Sequence, residues 1–258
     1  TNAAHSQVNL HDTYIQVPSG TKYSYYALAA YQGRISVNAP QTLGSSLIAS
    51  KDVQLDGDLF ALPTGQLDVA LATKNSYLHG LVDNGGTANL YLQNGAAWLN
   101  EGRNARYYQD NEDIGAGALT DVAGKKIYVG RSRVTNFYGG TTEATRGIIY
   151  QKDSDAMTLD NYSGHTAAIY QHDAATPTTF KGGDIVIGKA VGTENVFTLF
   201  TDANGVTAAN QDTVLNALAN KLTYKNFADG KLKGKLAIGE GLTASSINKN
   251  ITFATERG

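Results

Sequence analysis

The sequence predicts an all-β chain wound as a parallel β-solenoid and interrupted by one short helix. Composition supplies the first observation. The 258 residues include 28 Gly, 15 Tyr, 4 Pro, 1 Met and 1 Trp, a turn-rich, strand-favouring mixture. Short runs of alternating apolar and polar residues, each closed by Gly, Asn, Asp or Ser, supply the second. The third is internal similarity. IYQKD from Ile149 and IYQHD from Ile169 begin 20 residues apart, and IVIGKA from Ile185 is similar to LAIGEG from Leu236. Irregular repetition near that length, with one apolar stripe per strand, suits coils that stack into a continuous core.

The elements follow in order. RISVNA, VQLDGDLF, QLDVALAT, KIYVG, NVFTLF and NITF each read as a strand. In LYLQNGAAW, the side chains of Leu90 and Leu92 should enter the core, and Asn94 should turn a strand-ending corner, because Asn tolerates φ > 0. MTLDNYSG repeats the arrangement, with Met157 and Leu159 inward and Asn161 at the corner. Two unrelated hairpins with Asn-Gly turns are the alternative. TAANQDTVLNALANKL breaks the strand pattern. It places Val214, Leu215, Leu218 and Leu222 on one helical face, with Thr207 as N-cap, and predicts a helix near residues 207–222 that covers apolar surface.

The charge balance is −2 with a pI near 6.2. No basic stripe is present to neutralise a phosphate backbone, which argues against nucleic acid. Cys is absent, so disulfides and thiolate metal sites are excluded. No apolar run is long enough for a membrane-spanning helix. The chain shows no signal peptide and no starting Met, and reads as a single segment, 1–258, of something larger. Residues 1–32, where Tyr23, Tyr25, Tyr26 and Tyr31 cluster, would form a first coil or a cap over the open end of the core, or a ligand surface.

The candidate catalytic and metal motifs read more simply as turns. Ser163-Gly164-His165 places Ser and His close in sequence, but a triad is a spatial arrangement. Asp202-Ala-Asn204-Gly205 resembles the start of a calcium loop, yet its Gly comes early and the twelfth-position Glu is missing. Asp153 and Asp155 read as a loop pair, and His79-Gly80 as an isolated fragment. Gly115-Ala-Gly117 and Gly124-Lys125-Lys126 lack nucleotide-loop spacing. Asp110, Glu112 and Asp113, near Arg103 and Arg106, are the densest acidic group and are what a lyase would need, but a hydrated loop is the favoured reading. No metal or other cofactor is expected.

QNGAAW at Gln93, LDNYSGHTAAIYQHDAATPTTFKGGDIVI at Leu159, and the block through KLAIGEGLTASS resemble passenger domains of Gram-negative autotransporter adhesins. The similarity is densest from about Thr87 to Ser246. It implies an all-β, right-handed parallel β-helix displayed outside the cell after export across the outer membrane. The membrane would be engaged only through a C-terminal barrel that these residues do not include. It further implies a non-catalytic adhesive module whose partner is a host surface protein, a glycan, or another copy on a neighbouring cell. The alternatives are a β-helical polysaccharide lyase or hydrolase, or a passive spacer. Long polar excursions between apolar runs nominate the ligand contacts: Arg103, Arg106, Tyr107, Tyr108, Asp110, His165 and His172.

Overall fold

The structure, a computed structural model, describes residues 6–17, 26–47, 51–102, 106–108, 119–122, 125–128, 131–151, 156–239 and 249–250. The strands are β1 (Gln7–Leu10), β2 (Tyr14–Gln16), β3 (Tyr26–Val37), β4 (Gln54–Asp56), β5 (Asp58–Leu71), β6 (Tyr77–His79), β7 (Val82–Asn84), β8 (Thr87–Leu92), β9 (Ala97–Asn100), β10 (Arg106–Tyr108) and β11 (Leu119–Val122). They continue with β12 (Lys125–Tyr128), β13 (Arg131–Tyr138), β14 (Gly147–Gln151), β15 (Ala156–Ile169), β16 (Gln171–His172), β17 (Phe180–Lys181), β18 (Ile185–Thr201), β19 (Leu222–Tyr224), β20 (Lys233–Ile238) and β21 (Lys249–Asn250). The principal sheet has 16 strands and curls through 288°, so it nearly closes on itself as a parallel β-helix.

Registers resolve the coil into three faces. Face I stacks β2, β4, β6, β9 and β14, then the ends of β15 and β18, then β20. Face II stacks the starts of β3 and β5 with β7, and the starts of β15 and β18 with β13 and β19. Face III stacks β1, the ends of β3 and β5, β8, the end of β13 and the middle of β15. The chain runs I to II to III in each turn. Long strands such as β5 and β15 bend through a corner without stopping.

Stacking puts like on like. On face I the inward column reads Leu55, Leu78, Trp98, Ile149, Ala168, Leu199, Leu236, and all of these belong to the main core. Burying each large apolar side chain contributes about 1.5–3 kcal/mol, and every coil covers its neighbours. Trp98 is fully buried and its Nε1–H donates to the Gly80 carbonyl at 2.9 Å, so its polar atom is satisfied.

The repeats lie in a register different from the one that residue identity implies. Ile149 pairs with Ala168, while Ile169 pairs with Tyr150, so the two IYQ segments are offset by one residue. That offset sends Ile149 into the core and puts Ile169 on the outer side with Phe200 and Ala237. Likewise Leu90 stacks on Phe137 and Tyr162, not on Met157 or Leu159. Leu90, Leu92, Met157 and Leu159 all face inward as expected. Asn94 makes the expected corner at φ 55°, and its Nδ2 donates to the Ala72 carbonyl at 3.0 Å. Asn161 does not turn a corner. It lies within β15, in a column of polar residues. IVIGKA and LAIGEG sit on different faces, the first entering on face II and the second on face I.

The helix, α1, spans Gln211–Ala219 and is shorter than the 207–222 window. Val214, Leu215 and Leu218 are buried in the main core, as expected for a covering helix. Thr207 and Asn210 instead bond reciprocally in the turn before it: the Thr207 N–H donates to Asn210 Oδ1 at 2.7 Å, and the Asn210 N–H donates to Thr207 Oγ1 at 3.3 Å. Asn210 therefore takes the N-cap position, and Leu222 opens β19.

Candidate functional site

Corners and the outer sides of the strands are where this fold can present a surface, because the inner sides are committed to the core. The corner from face I to face II releases the long excursions. The chain leaves β9 at Asn100 and rejoins at Arg131, leaves β15 at Ile169 and rejoins at Ile185, and leaves β18 at Thr201 and rejoins at Leu222. The first excursion contains a separate antiparallel sheet, β10–β12–β11. Arg106, Tyr107 and Tyr108 form β10 of that sheet, whereas Arg103 and Asp110 lie outside the described residues. So do Tyr23, Tyr25, Glu112, Asp113, Asp153, Asp155, Gly115, Gly117 and Gly124.

His172, in the second excursion, holds structure together. Its side chain is fully buried; Nδ1 lies 2.7 Å from Thr201 Oγ1, and Nε2 lies 2.6 Å from the Asn204 carbonyl. It therefore ties one excursion to the next. The Asp202–Gly205 segment is a turn: Asp202 Oδ1 accepts from the Asn204 N–H at 2.9 Å, and Gly205 adopts φ 72°. Among the described residues no group of three or more His, Asp or Glu could hold a metal, and no helix is long and apolar enough to cross a membrane.

The corner from face III to face I carries the cleft. It encloses about 600 Å3 and gathers residues from successive coils: Gly44 to Leu47, Gln93 and Asn94, Gly139 to Thr141, Ser163 and Gly164, and Gly192 to Glu194. Glycines shape it because the strands pass too closely for side chains. A Cβ on Gly139 would come within 2.6 Å of the His165 carbonyl oxygen. One on Gly164, whose φ is 85°, would come within 2.6 Å of the Gly140 carbonyl oxygen. Asn195 braces the rim, its Oδ1 accepting from both Gly164 and Gly192 N–H groups at 3.2 Å.

Half-buried Tyr138 supplies the accessible aromatic part of the lining, and Tyr91, only 2% exposed, backs it from behind. Alternation along β8 and β13 puts them on the outer side, opposite Leu90 and Phe137. Their rings stack with centroids 4.4 Å apart. The 38–47 segment lies against this pair: Gly44 N–H donates to Tyr91 Oη at 2.6 Å. Burial pushes both phenol pKa values up. The Gly44 bond partly offsets this at Tyr91, and the Asp68 charge adds to it at both rings. Both hydroxyls therefore stay neutral and hydrogen-bonding across the physiological range.

Above the tyrosines on the same outer side runs the polar column Ser36, Asp68, Asn89, Asn136, Asn161. Asn89 Nδ2 donates to Asp68 Oδ1 at 2.7 Å, and the fully buried Asp68 also pairs with Arg34 and accepts from Gln66 Nε2 at 3.0 Å. Sequence reading missed this column and the cleft beside it. The available signal was Asn-Leu-Tyr at Asn89, Asn-Phe-Tyr at Asn136 and Asn-Tyr-Ser at Asn161, which the large excursion separates by uneven spacing.

His165 and Glu194 stand at the mouth of an adjoining recess of about 290 Å3. His165 is 8% exposed, its Nε2 has no hydrogen-bond partner, and Glu194 Oε1 lies 3.5 Å from it. Ser163 Oγ faces the Phe137 carbonyl at 3.5 Å. The cleft thus offers an aromatic wall, backbone groups at glycine corners, and Thr, Ser and Asn side chains. This is chemistry for contacting hydroxyl-rich or peptide surfaces. Comparison with protein-family models, with curated proteins and with solved structures found no match to this chain.

Proposed function

We propose that this chain is a non-catalytic display module of an autotransporter-type adhesin, exported to the bacterial surface, and that it holds a glycan in the tyrosine-lined cleft. The observation that carries the reading is the cleft itself. Residues from coils far apart in sequence converge there on a stacked Tyr91–Tyr138 pair, with hydroxyl, amide and backbone groups around it. A sugar ring presents an apolar face to an aromatic wall and hydroxyls to the polar groups around it. The β-helix supplies the rigid mount, since stacked coils hold the corner geometry that loops alone would not. Weak contacts of this kind gain strength when many copies act together.

The test is a glycan and matrix-protein array probed with the purified chain and with Tyr138→Ala, recording both retained protein and released sugar. Retention of glycans without products, reduced about tenfold by Tyr138→Ala, supports the reading, since aromatic stacking contributes on the order of 1 kcal/mol or more. Product release would replace it with a polysaccharide lyase or hydrolase. Retention on matrix proteins alone would move the partner from glycan to protein. No retention at all would leave a passive spacer.

A further inference from the structure

We propose that the recess adjoining the tyrosine cleft is a subsite for an oxyanion carried on a saccharide, a carboxylate or a sulfate ester, held by His165, Lys233 and Lys235. This rests on the glycan reading of the cleft and names the class of glycan. Three observations carry it.

The first is the unsatisfied imidazole. His165 lies on the outer side of face I and is more than nine-tenths buried; it lines the recess, and its Nε2 has no hydrogen-bond partner. A buried polar atom left unpaired is costly, so an oxygen delivered to it by a ligand would be favoured there. Glu194 Oε1 lies 3.5 Å from Nε2, so a carboxylate oxygen already stands beside the ring. The Glu194 side chain is 72% exposed and can swing into solvent when another anion takes its place.

The second is the column of charge that the register builds. His165 pairs with Val196 and Val196 with Lys233, so imidazole and ammonium lie on the same outer column, two strand spacings apart. Lys235 follows two residues along β20 on the same side. Neither lysine makes an ion pair among the described residues. Of the acidic groups in the recess, Glu143 is paired with Arg146 at 3.3 Å, which leaves Glu194 as the internal anion to be displaced.

The third is continuity. Thr141 and Glu194 line both the recess and the tyrosine cleft, so a saccharide on the aromatic wall reaches the recess with its next substituent. The recess has room for roughly ten waters, enough for one acidic sugar unit.

The experiment uses the full 15N-labelled chain, with the His165 imidazole signals identified through His165→Gln. They are followed by NMR while galacturonic acid, glucose 6-sulfate or galactose is added. The expected result is a saturable shift of the His165 signals with one or both acidic sugars and none with galactose. The sugar that acts identifies carboxylate or sulfate as the group recognised. Lys233→Ala combined with Lys235→Ala should weaken that binding at least tenfold, and Glu194→Gln should tighten it several-fold. An equal response to galactose, no response to either acidic sugar, or unchanged affinity in the double lysine variant overturns the subsite. If neutral glycans are still retained on the array while the acidic sugars leave His165 unmoved, the subsite alone fails. If no glycan is retained at all, the wider reading fails with it.

Discussion

Asn136 and Asn89 are 47 residues apart in sequence and directly paired across adjacent strands, with Asn136 Nδ2 donating to Asn89 Oδ1 at 2.8 Å. The relationship shows that an entire excursion, with its own small sheet, interrupts the coil without shifting its register. Asn161 Nδ2 continues the column to Asn136 Oδ1 at 3.2 Å, and Asn89 Nδ2 ends it on Asp68. Asn136 and Asn89 each donate to one neighbour and accept from the other, so the column depends on order as well as composition.

Asn89→Ala breaks this column in its middle. It removes a donor from the fully buried Asp68 carboxylate and an acceptor from Asn136. The expected loss is about 2 kcal/mol, the cost of leaving buried hydrogen-bonding groups unmet. Urea unfolding should show a lowered midpoint with an unchanged slope. An unchanged midpoint would mean that water replaces the amide without penalty.

Gly164 and Gly230 separate two reasons for glycine. Both have positive φ, 85° and 66°, but a Cβ at Gly164 meets the Gly140 carbonyl at 2.6 Å, whereas nothing lies within 4 Å of one at Gly230. Gly230→Ala should cost only the backbone term, about 1 kcal/mol. Gly164→Ala adds a steric clash at the cleft and should cost at least about 2 kcal/mol more, because overpacking forces backbone shifts. Thermal unfolding of the two variants side by side checks the difference, and equal Tm losses would refute it.

Tyr224 makes stability sensitive to alkaline pH. Burial, together with its bond to the Asp229 carboxylate at 2.7 Å, pushes the phenol from its ordinary value near 10 up to about 12. The folded state thus holds this proton more tightly than the unfolded chain does. Its contribution is complete below about pH 10 and is lost as pH rises through about 12. Burial pushes Tyr162 up as well, so it adds to the same alkaline loss. In Tyr224→Phe the fall in urea midpoint between those pH values should be shallower than in the parent. A parallel fall in both proteins would assign the effect elsewhere.

At the opposite extreme, Asp229 is held below the usual carboxylate range, chiefly by the Lys231 N–H and then by the Tyr224 hydroxyl. Its stabilisation is present above the unfolded carboxylate value of about 3.8 and is lost as pH falls through the lower folded one. Asp229→Asn should therefore flatten the acid limb below about pH 4, read from midpoints at pH 2 to 5.

The 38–47 segment is tethered to the aromatic pair through Tyr91 Oη. Tyr91→Phe should speed amide exchange at Gly44 by about tenfold while leaving exchange in β8 unchanged, since only the one bond at 2.6 Å is lost. Unaltered exchange at Gly44 would show that packing alone holds the segment.

The sequence by itself determined the class of fold, because alternation and closely spaced turns leave few other ways to bury so many short apolar stripes. It also located the helix, through the spacing of Val214, Leu215 and Leu218, and it identified the Asn94 corner. What it misjudged was register. Identity between IYQKD and IYQHD pulled the two segments into an alignment one residue away from the pairing that the core selects, and a one-residue slip exchanges inside for outside. The site depended wholly on tertiary structure. Tyr91 and Tyr138 share an Asn-x-Tyr pattern, but Gly164, His165 and Glu194 share none with them, and only the stacking of coils brings all five to one corner. His172 shows the converse: a polar residue in a loop read as a ligand contact, but the next coil supplies Thr201 and Asn204 to bury it. Local sequence sets which side chains alternate. Neighbouring coils decide which of them meet, because inter-strand pairing is a property of the whole stack.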